Sequence, residues 1–486
     1  MTEFIIPMET GTHADALALV GFADLIAELS GDTEADKKSV EIKYDGDVAT
    51  VSTPKSIEEL REAKFTPGFK FIKTSRICDG VPYDSYDYEE NKQKYEQAKK
   101  SRKELQKLKS QKTSEELDEQ IKQKEEQAEY PHNWFLYQQI NVMQGITQLN
   151  KIYNFVSEKD FVPNLSSLRE GHWPSCKNFP NNTIQLLMPS AGKGIWGIKG
   201  QMKSGASGLS PQHINGFAIW MMFRGLWKIA DAQPLNEDLK IYVLSPKNIF
   251  FHSIENIRNE FQKLTSEWTP IKSDISRLIN LSKILVEHSM DIKKIGKKIS
   301  RRPAELISSI QVSWFKSLGN SRALASVSEL SIPDWFSVHD EKDMEMWQRA
   351  LDAHSDVMKP LNEKYDEEIR LLEAQRAALS SNSFNVMLNF HAEYAVGVFS
   401  LRTQEKCYIK LFPETVTKEV LMAMSEKEKL EGVRELIKNE DFLAVAKALR
   451  NVTITALREQ KNQREIQPFY GLPQEWKRVS KFSDQF

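Results

Sequence analysis

The chain has 486 residues, a net charge of −2, and 40% hydrophobic and 10% aromatic residues. That length makes roughly two to four domains with sizeable cores, and that composition excludes a disordered chain. Three widely spaced cysteines, Cys78, Cys176 and Cys407, exclude a disulfide framework and a zinc cluster and point to a reducing cytoplasm. No run approaches the roughly 18 apolar residues of a membrane helix. No basic-then-apolar leader opens the sequence, so a soluble cytoplasmic protein with no membrane partner is expected.

The pattern predicts an α+β fold, with a mixed α/β N-terminal body and a C-terminal all-α helical bundle, in four blocks. Block 1–87 is an N-terminal α/β part. It should hold a helix at Ala14–Leu29 and a hairpin pairing Val40–Tyr44 with Val48–Val51 around Asp45-Gly46. Block 88–130 is a charged helical hairpin inserted into the body, rich in Lys, Glu and Gln. Its thin apolar line is Ala98, Leu105, Leu108, Leu117 and Ile121. Thr113 to Glu116 has the form of a capping box after a break near residues 110–114. The seam is too sparse for a free coiled coil, so the hairpin projects from the body or docks on a partner.

Block 131–338 is the main α+β body with a glycine-rich loop. Its expected strands include Ile184–Met188, Lys240–Leu244 and Ile310–Phe315. Its most buried helix should be Ile214–Ile229, through Phe217, Trp220, Phe223 and Trp227. Block 339–486 is all helical. Pro360 and Pro413 mark breaks, and Phe384, Leu388, His391, Ala395 and Val398 form a core-facing stripe on one helix.

Catalytic signals are weak. His339-Asp340 is an HD dipeptide without the further His and Asp contributors of a metal phosphohydrolase. Ser190–Gly194 follows a predicted strand but lacks the spacing of a phosphate loop. No zinc pattern, nucleophile elbow or carboxylate pair stands out. No catalysis, metal or cofactor is expected.

Three segments carry nucleic-acid character instead. Residues 293–302 hold six positive charges and no acid: Lys293, Lys294, Lys297, Lys298, Arg301 and Arg302. The glycine-rich loop Ser190–Ser210 carries Lys193, Trp196, Lys199, Gln201 and Lys203, the side chains that contact phosphates, base edges and stacked steps. The segment Phe442–Phe486 has eight Lys/Arg against four Asp/Glu. As one helix to Gln463 it puts Lys447, Arg450, Arg458 and Lys461 on a single face. Pro468 and Pro473 then interrupt the chain before a short helix with Lys477 and Arg478. Such a stripe on a nearly neutral protein suits a phosphate backbone; the alternative is a solvated helix face.

This tail resembles the C-terminal signature of large subunits in type I CRISPR surveillance (Cascade) complexes, most similar to the I-A/I-B-like branch. The matching positions run from Ala446 to Thr453, then Tyr470, Gly471, Leu472, Gln474, Glu475, Trp476, Lys477 and Arg478. A fainter likeness lies in the N-terminal helix at His13, Ala18, Gly21 and Leu25. The resemblance implies a non-catalytic subunit whose C-terminal bundle is similar to the small subunit of such complexes. Met344, Met346 and Met358 lie where an internal start would release that bundle. The implied partners are CRISPR RNA, target double-stranded DNA and its displaced strand, the Cascade backbone and guide-handle-binding subunits, and a recruited helicase-nuclease or transposition targeting protein. Guide pairing would read the sequence while the protein senses the flanking motif (the PAM). On this reading the loop, Lys193 included, senses the PAM: Trp196 wedges beside the first opened pair, Lys199 and Lys203 hold backbone, and Gln201 reaches a base edge. Residues 293–302 grip duplex or guide backbone, and the tail cradles the displaced strand. Two readings from other classes compete: a general nucleic-acid scaffold outside CRISPR, and a nucleotide-using enzyme built on Ser190–Gly194.

Overall fold

The computed structural model describes the chain from residue 1 to 445, except residues 9, 32–38, 47, 64–70, 78–84, 110–123, 125–126, 129, 132, 143–144, 159–163, 176–214, 264–268, 292–301, 319–321 and 404–408. It is an α+β protein in two compact units, Met1–Trp268 with Ala304–Leu330, and Thr269–Pro303 with the chain from Ser331 onward.

The first unit begins with β1 (Thr2–Ile6) and α1 (His13–Ser30). Strands β2 (Glu41–Tyr44) and β3 (Ala49–Thr53) form the expected hairpin. Gly46 takes φ +107°, and the Asp45 carboxylate accepts from the Val48 amide at 2.9 Å. Helix α2 (Ile57–Glu62) carries a capping box that the sequence reading missed, Ser56 with Glu59. The box expected at Thr113–Glu116 lies outside the described residues.

Strands β4 (Ile72–Lys73) and β5 (Tyr86–Asp87) pair in parallel and lead into α3 (Tyr88–Lys109). Next come α4 (Trp134–Val142), α5 (Gly145–Glu158) and α6 (Gly216–Ile229). Strands β6 (Ala230–Leu235), β7 (Asp238–Pro246) and β8 (Asn248–Phe250) follow, then α7 (Phe251–Lys263). Strands β9 (Ile307–Ser317) and β10 (Arg322–Ser331) complete the unit. Both expected strands that fall on described residues, Lys240–Leu244 and Ile310–Phe315, are present within β7 and β9; Ile184–Met188 lies outside the described residues.

Two four-stranded sheets result, in the orders β1-β3-β2-β8 and β10-β9-β7-β6. In the first sheet the antiparallel registers align Phe4, Val51, Ile42 and Ile249 in one row, and all four are buried. Each contributes about 1.5–3 kcal/mol of apolar burial. Phe22 of α1 meets that row edge-on at Phe4, with ring centroids 5.3 Å apart.

Helix α1 is the centre of this unit, with every residue buried except Glu28. Burial so complete needs cover on all sides, and α1 packs against α6, β3 and β7. Its head is tied to β9 by His13 Nδ1 and Ser313 Oγ, 3.0 Å apart and both fully buried. Along its length α1 crosses α6 with both backbones nearly touching. A Cβ on Gly21 would lie 1.8 Å from the Met221 carbonyl oxygen, and one on Gly225 would lie 1.9 Å from that of Leu17. In α6, expected to be the most buried helix, Phe217, Trp220 and Phe223 are fully buried, but Trp227 is only partly covered and α1 is the more completely buried of the two.

The base of the charged insertion lies on the first unit's own aromatic bed. Tyr95 of α3 stacks on Trp134 at 5.2 Å, and the Arg102 guanidinium sits 3.8 Å from the Tyr130 ring centre. The chain returns beside α3, with Arg102 Nε donating to the Ala128 carbonyl at 2.8 Å and Lys124 paired to Glu104 at 2.6 Å.

The described residues of the second unit form mainly helices: α8 (Pro270–Asp291), α9 (Glu341–Met358), α10 (Asp366–Ser381), α11 (Phe384–Thr403), α12 (Glu414–Lys427) and α13 (Glu431–Lys438). Packing therefore groups α8 with the C-terminal helices, although the sequence pattern had placed it in the central body. Glu363 accepts from the Ile271 and Lys272 amides at the head of α8, and Arg376 of α10 pairs with the buried Asp274 at 3.0 Å. Pro413 immediately precedes α12, and Pro360 follows the end of α9, as expected. The core stripe of α11 is rotated from the expected one. Phe384, Met387, Phe390, Tyr394, Val398 and Leu401 are buried, whereas Leu388 is 44% exposed and Ala395 is exposed. A polypeptide starting at Met344 or Met358 would leave behind α8 and Trp335, whose indole stacks on Trp347 at 5.4 Å. No described helix is long and apolar enough to cross a membrane.

Candidate functional site

Lys193, Trp196, Lys199, Gln201 and Lys203, residues Lys293, Lys294, Lys297, Lys298 and Arg301, and Lys447, Arg450, Arg458, Lys461, Lys477 and Arg478 all lie outside the described residues. So do Ser190–Gly194 and the three cysteines. Arg302 is described, in the second unit. Its guanidinium donates to both the carboxylate and the main-chain carbonyl of Asp334 at 3.2 Å, so its charge is already answered within that unit. His339-Asp340 is a helix start: the Asp340 carboxylate accepts from the Lys342 and Asp343 amides at 3.0 Å, capping α9. Among the described residues no group of three His, Cys, Asp or Glu is placed to hold a metal ion.

The second unit packs two histidines against an aromatic cluster, His354 fully buried and His391 half-buried. His354 is fully buried against Trp335, Phe390 and Phe412. Gln375 Nε2 donates to its carbonyl at 2.7 Å, with the His354 Nδ1 3.3 Å away. His391 packs on Phe412, ring centroids 4.7 Å apart. Burial holds the His354 imidazole well below its ordinary range and brings His391 down to about 4. Both are kept neutral, and they set an acid limit. Below pH 6.5 the unfolded chain takes up protons that these sites refuse, so stability is present above that pH and falls toward pH 4. We expect His391 alone to remove about 3 kcal/mol across that interval. Urea unfolding of the full chain at pH 7.5 and 4.5 measures this, and His391→Phe should lessen the acid sensitivity.

The first unit contains an arrangement of a different kind. Three rings from three elements form a continuous stack. Tyr86 of β5 lies 3.5 Å from Tyr137 of α4 at 18°, and Tyr137 lies 4.3 Å from Trp227 of α6 at 15°. Tyr137 is buried between its neighbours, while Tyr86 and Trp227 are partly exposed at the two ends. Burial raises the pKa of both phenols above the ordinary value, so both stay protonated at neutral pH. Neither the Tyr86 hydroxyl nor the Trp227 indole N–H finds a hydrogen-bond partner.

The stack lines a cavity of about 640 Å³, to which Asp87, Glu90, Asn91, Asn133, Lys228, Glu255, Asn256, Arg258 and Asn259 contribute polar groups. Arg258 is 3% exposed and donates to the Asn133 side chain and, at 3.2 Å, to the Ala230 carbonyl. Burial drags its guanidinium down to about 10, with Asp231 pulling the other way. Asn133 sits at φ +58°, a left-handed conformation that Asn tolerates, and is held there by Arg258 and Gln262. Burial works against the Lys228 ammonium, but Asp24 at 3.2 Å and Glu255 at 2.5 Å outweigh it and keep its pKa above the ordinary value. Behind Lys228, Arg224 pairs with Asp24 at 2.5 Å and Glu28 at 2.7 Å.

No protein-family model and no curated protein matches this chain. The site therefore stands on its own geometry. Sequence reading named Trp227 only as a core residue and missed Tyr86, Tyr137, Asn133 and Arg258. Arg224 and Lys228, four apart on an otherwise apolar helix, were the available signal, since buried charges need partners.

Proposed function

We propose that this chain is the non-catalytic large subunit of a CRISPR RNA-guided DNA surveillance complex. It would work in the cytoplasm, sense the PAM, promote duplex opening and stabilise the displaced strand. The feature that carries the reading is the amino-acid sequence from Ala446 to Arg478, where two basic segments flank a Tyr-Gly-Leu element at the spacing of the family it resembles. An α+β unit and a helical unit are in keeping with it. In this reading the glycine-rich loop meets the PAM duplex, residues 293–301 meet nucleic-acid backbone, and Lys447, Arg450, Arg458 and Lys461 hold single-stranded DNA without regard to sequence.

The test is a pull-down of the tagged full chain from its native operon, with mass spectrometry and RNA sequencing. Recovery of a repeated backbone subunit and short RNAs with uniform ends is the expected result. Recovery of the chain alone, or with heterogeneous nucleic acid, would instead favour a general nucleic-acid scaffold. In the recovered complex, charge reversal at those four tail residues should weaken R-loop formation and spare binding of the PAM duplex; equal loss of both would overturn the division of labour.

A further inference from the structure

Two hollows open along α3 in the first unit. Glu90 and Asn91 line the cavity on the Tyr86–Tyr137–Trp227 stack. One turn further on, Lys94 and Gln97 line a groove of about 500 Å³, joined by Lys100, Ser101, Glu104 and Lys124. The two differ in charge. The cavity sets Asp87, Glu90 and Glu255 against Lys228 and Arg258, and both cations are committed to protein partners. A phosphate is repelled there. The groove sets Lys94, Lys100 and Lys124 against Glu104. Lys94 pairs with Glu90 at 2.7 Å and Lys124 with Glu104 at 2.6 Å, but these are surface pairs, and the groove keeps an excess of positive charge that attracts a phosphate.

A neutral planar group with hydrogen-bonding edges suits the cavity. The stack ends in the ring faces of Tyr86 and Trp227, and Asn91, Asn256 and Asn259 each carry a donor and an acceptor on one amide. Nucleobases have that combination of flat face and polar edge, and they arrive attached to phosphates. From Glu90 to Lys100 the helix rises about 15 Å, the reach of a short backbone segment.

We propose that this face of α3 binds single-stranded nucleic acid, with one unstacked base extending the aromatic stack and the adjoining phosphates lying along Lys94, Lys100 and Lys124. The inference deepens the nucleic-acid reading above and rests on it, but it uses residues outside the tail, the loop and residues 293–302.

The experiment is binding of the purified full chain to 12-nucleotide single strands carrying one 2-aminopurine, as DNA and as RNA, followed by anisotropy and 2-aminopurine emission. Binding with quenched emission is expected, and the strand that binds more tightly names the source. The paired substitution Asn256→Ala/Asn259→Ala, at two exposed positions of α7, should weaken binding about ten-fold. Lys100→Glu should weaken it and reduce its salt dependence. Circular dichroism and the unfolding midpoint should be unchanged in both variants. No binding, unquenched binding, or full affinity in both variants overturns the proposal. If those negative results accompany recovery of guide RNA and backbone subunits from the operon, the pocket fails and the functional reading stands. Pocket-dependent binding without such partners would mean the reverse.

Discussion

Replacing Gly225 by alanine will unfold the first unit or cost it roughly 4 kcal/mol or more, among the largest effects available to a single methyl group. The reason is geometric. A Cβ there would lie 1.9 Å from the Leu17 carbonyl oxygen and 2.7 Å from its carbonyl carbon, both backbone atoms of a buried helix. Gly21 faces the same obstacle at Met221, so Gly21→Ala should behave alike. Nothing flexible can yield on either side. The two helices must separate, and α1, buried at every residue but Glu28, loses its packing on α6. The control is Gly432→Ala, in α13, where an added Cβ meets nothing within 4 Å; its effect should stay within about 1 kcal/mol of zero. Urea unfolding of the three variants decides the matter. A Gly225→Ala protein of normal stability would mean that the two helices do not cross so closely.

Arg224→Met should be the second severe change, costing about 3–5 kcal/mol. Arg224 is 1% exposed and answers two carboxylates at once, Asp24 and Glu28. Methionine keeps much of the volume and removes the charge, leaving Lys228 as the remaining cation against Asp24. Burial already keeps the Glu28 carboxyl above its ordinary range, more than Arg224 draws it down. Without Arg224 that upward displacement grows. A carboxyl whose pKa is raised by folding destabilises once it ionises, so the penalty is greatest near pH 7 and eases as pH falls toward the carboxylate range. Adding Asp24→Asn and Glu28→Gln to the variant should recover a large part of the loss, because the damage lies in stranded charge and not in lost volume. Loss independent of pH and not relieved by the amides would point to packing instead.

Much of the first unit's local structure could be read from the chain. The Asp45-Gly46 pair between two alternating segments dictates a hairpin, since few other residues accept the φ of +107° that Gly46 adopts. The apolar residues recurring from Ala14 to Leu29 mark a helix, but its cover on all sides, with Asp15 and Asp24 buried too, is seen only in the tertiary structure. Local rules were less successful where a face had to be chosen. On α11 the sequence offered Leu388 and Ala395 as core positions, but Met387, Phe390 and Tyr394 point inward. Several residues of that helix are apolar, so its periodicity alone leaves the buried direction open, and the ring cluster around His354 and Phe412 fixes it.

The sequence by itself determined the elements: the α+β class, the hairpin, the helix at Ala14–Leu29, the described helices from Glu341 to Lys438 and the proline breaks. These follow from short-range physics, in which residue pattern and turn chemistry act within a few positions. Tertiary structure alone decided three things. It grouped α8 with helices that begin fifty residues downstream. It showed that Gly21 and Gly225, two hundred residues apart in sequence, are where two backbones meet. It also assembled the aromatic stack, whose members Tyr86, Tyr137 and Trp227 come from a strand and two helices and share no local pattern. Each depends on which distant segments share a core, and that choice is settled by packing complementarity summed over the whole unit, which no window of sequence contains.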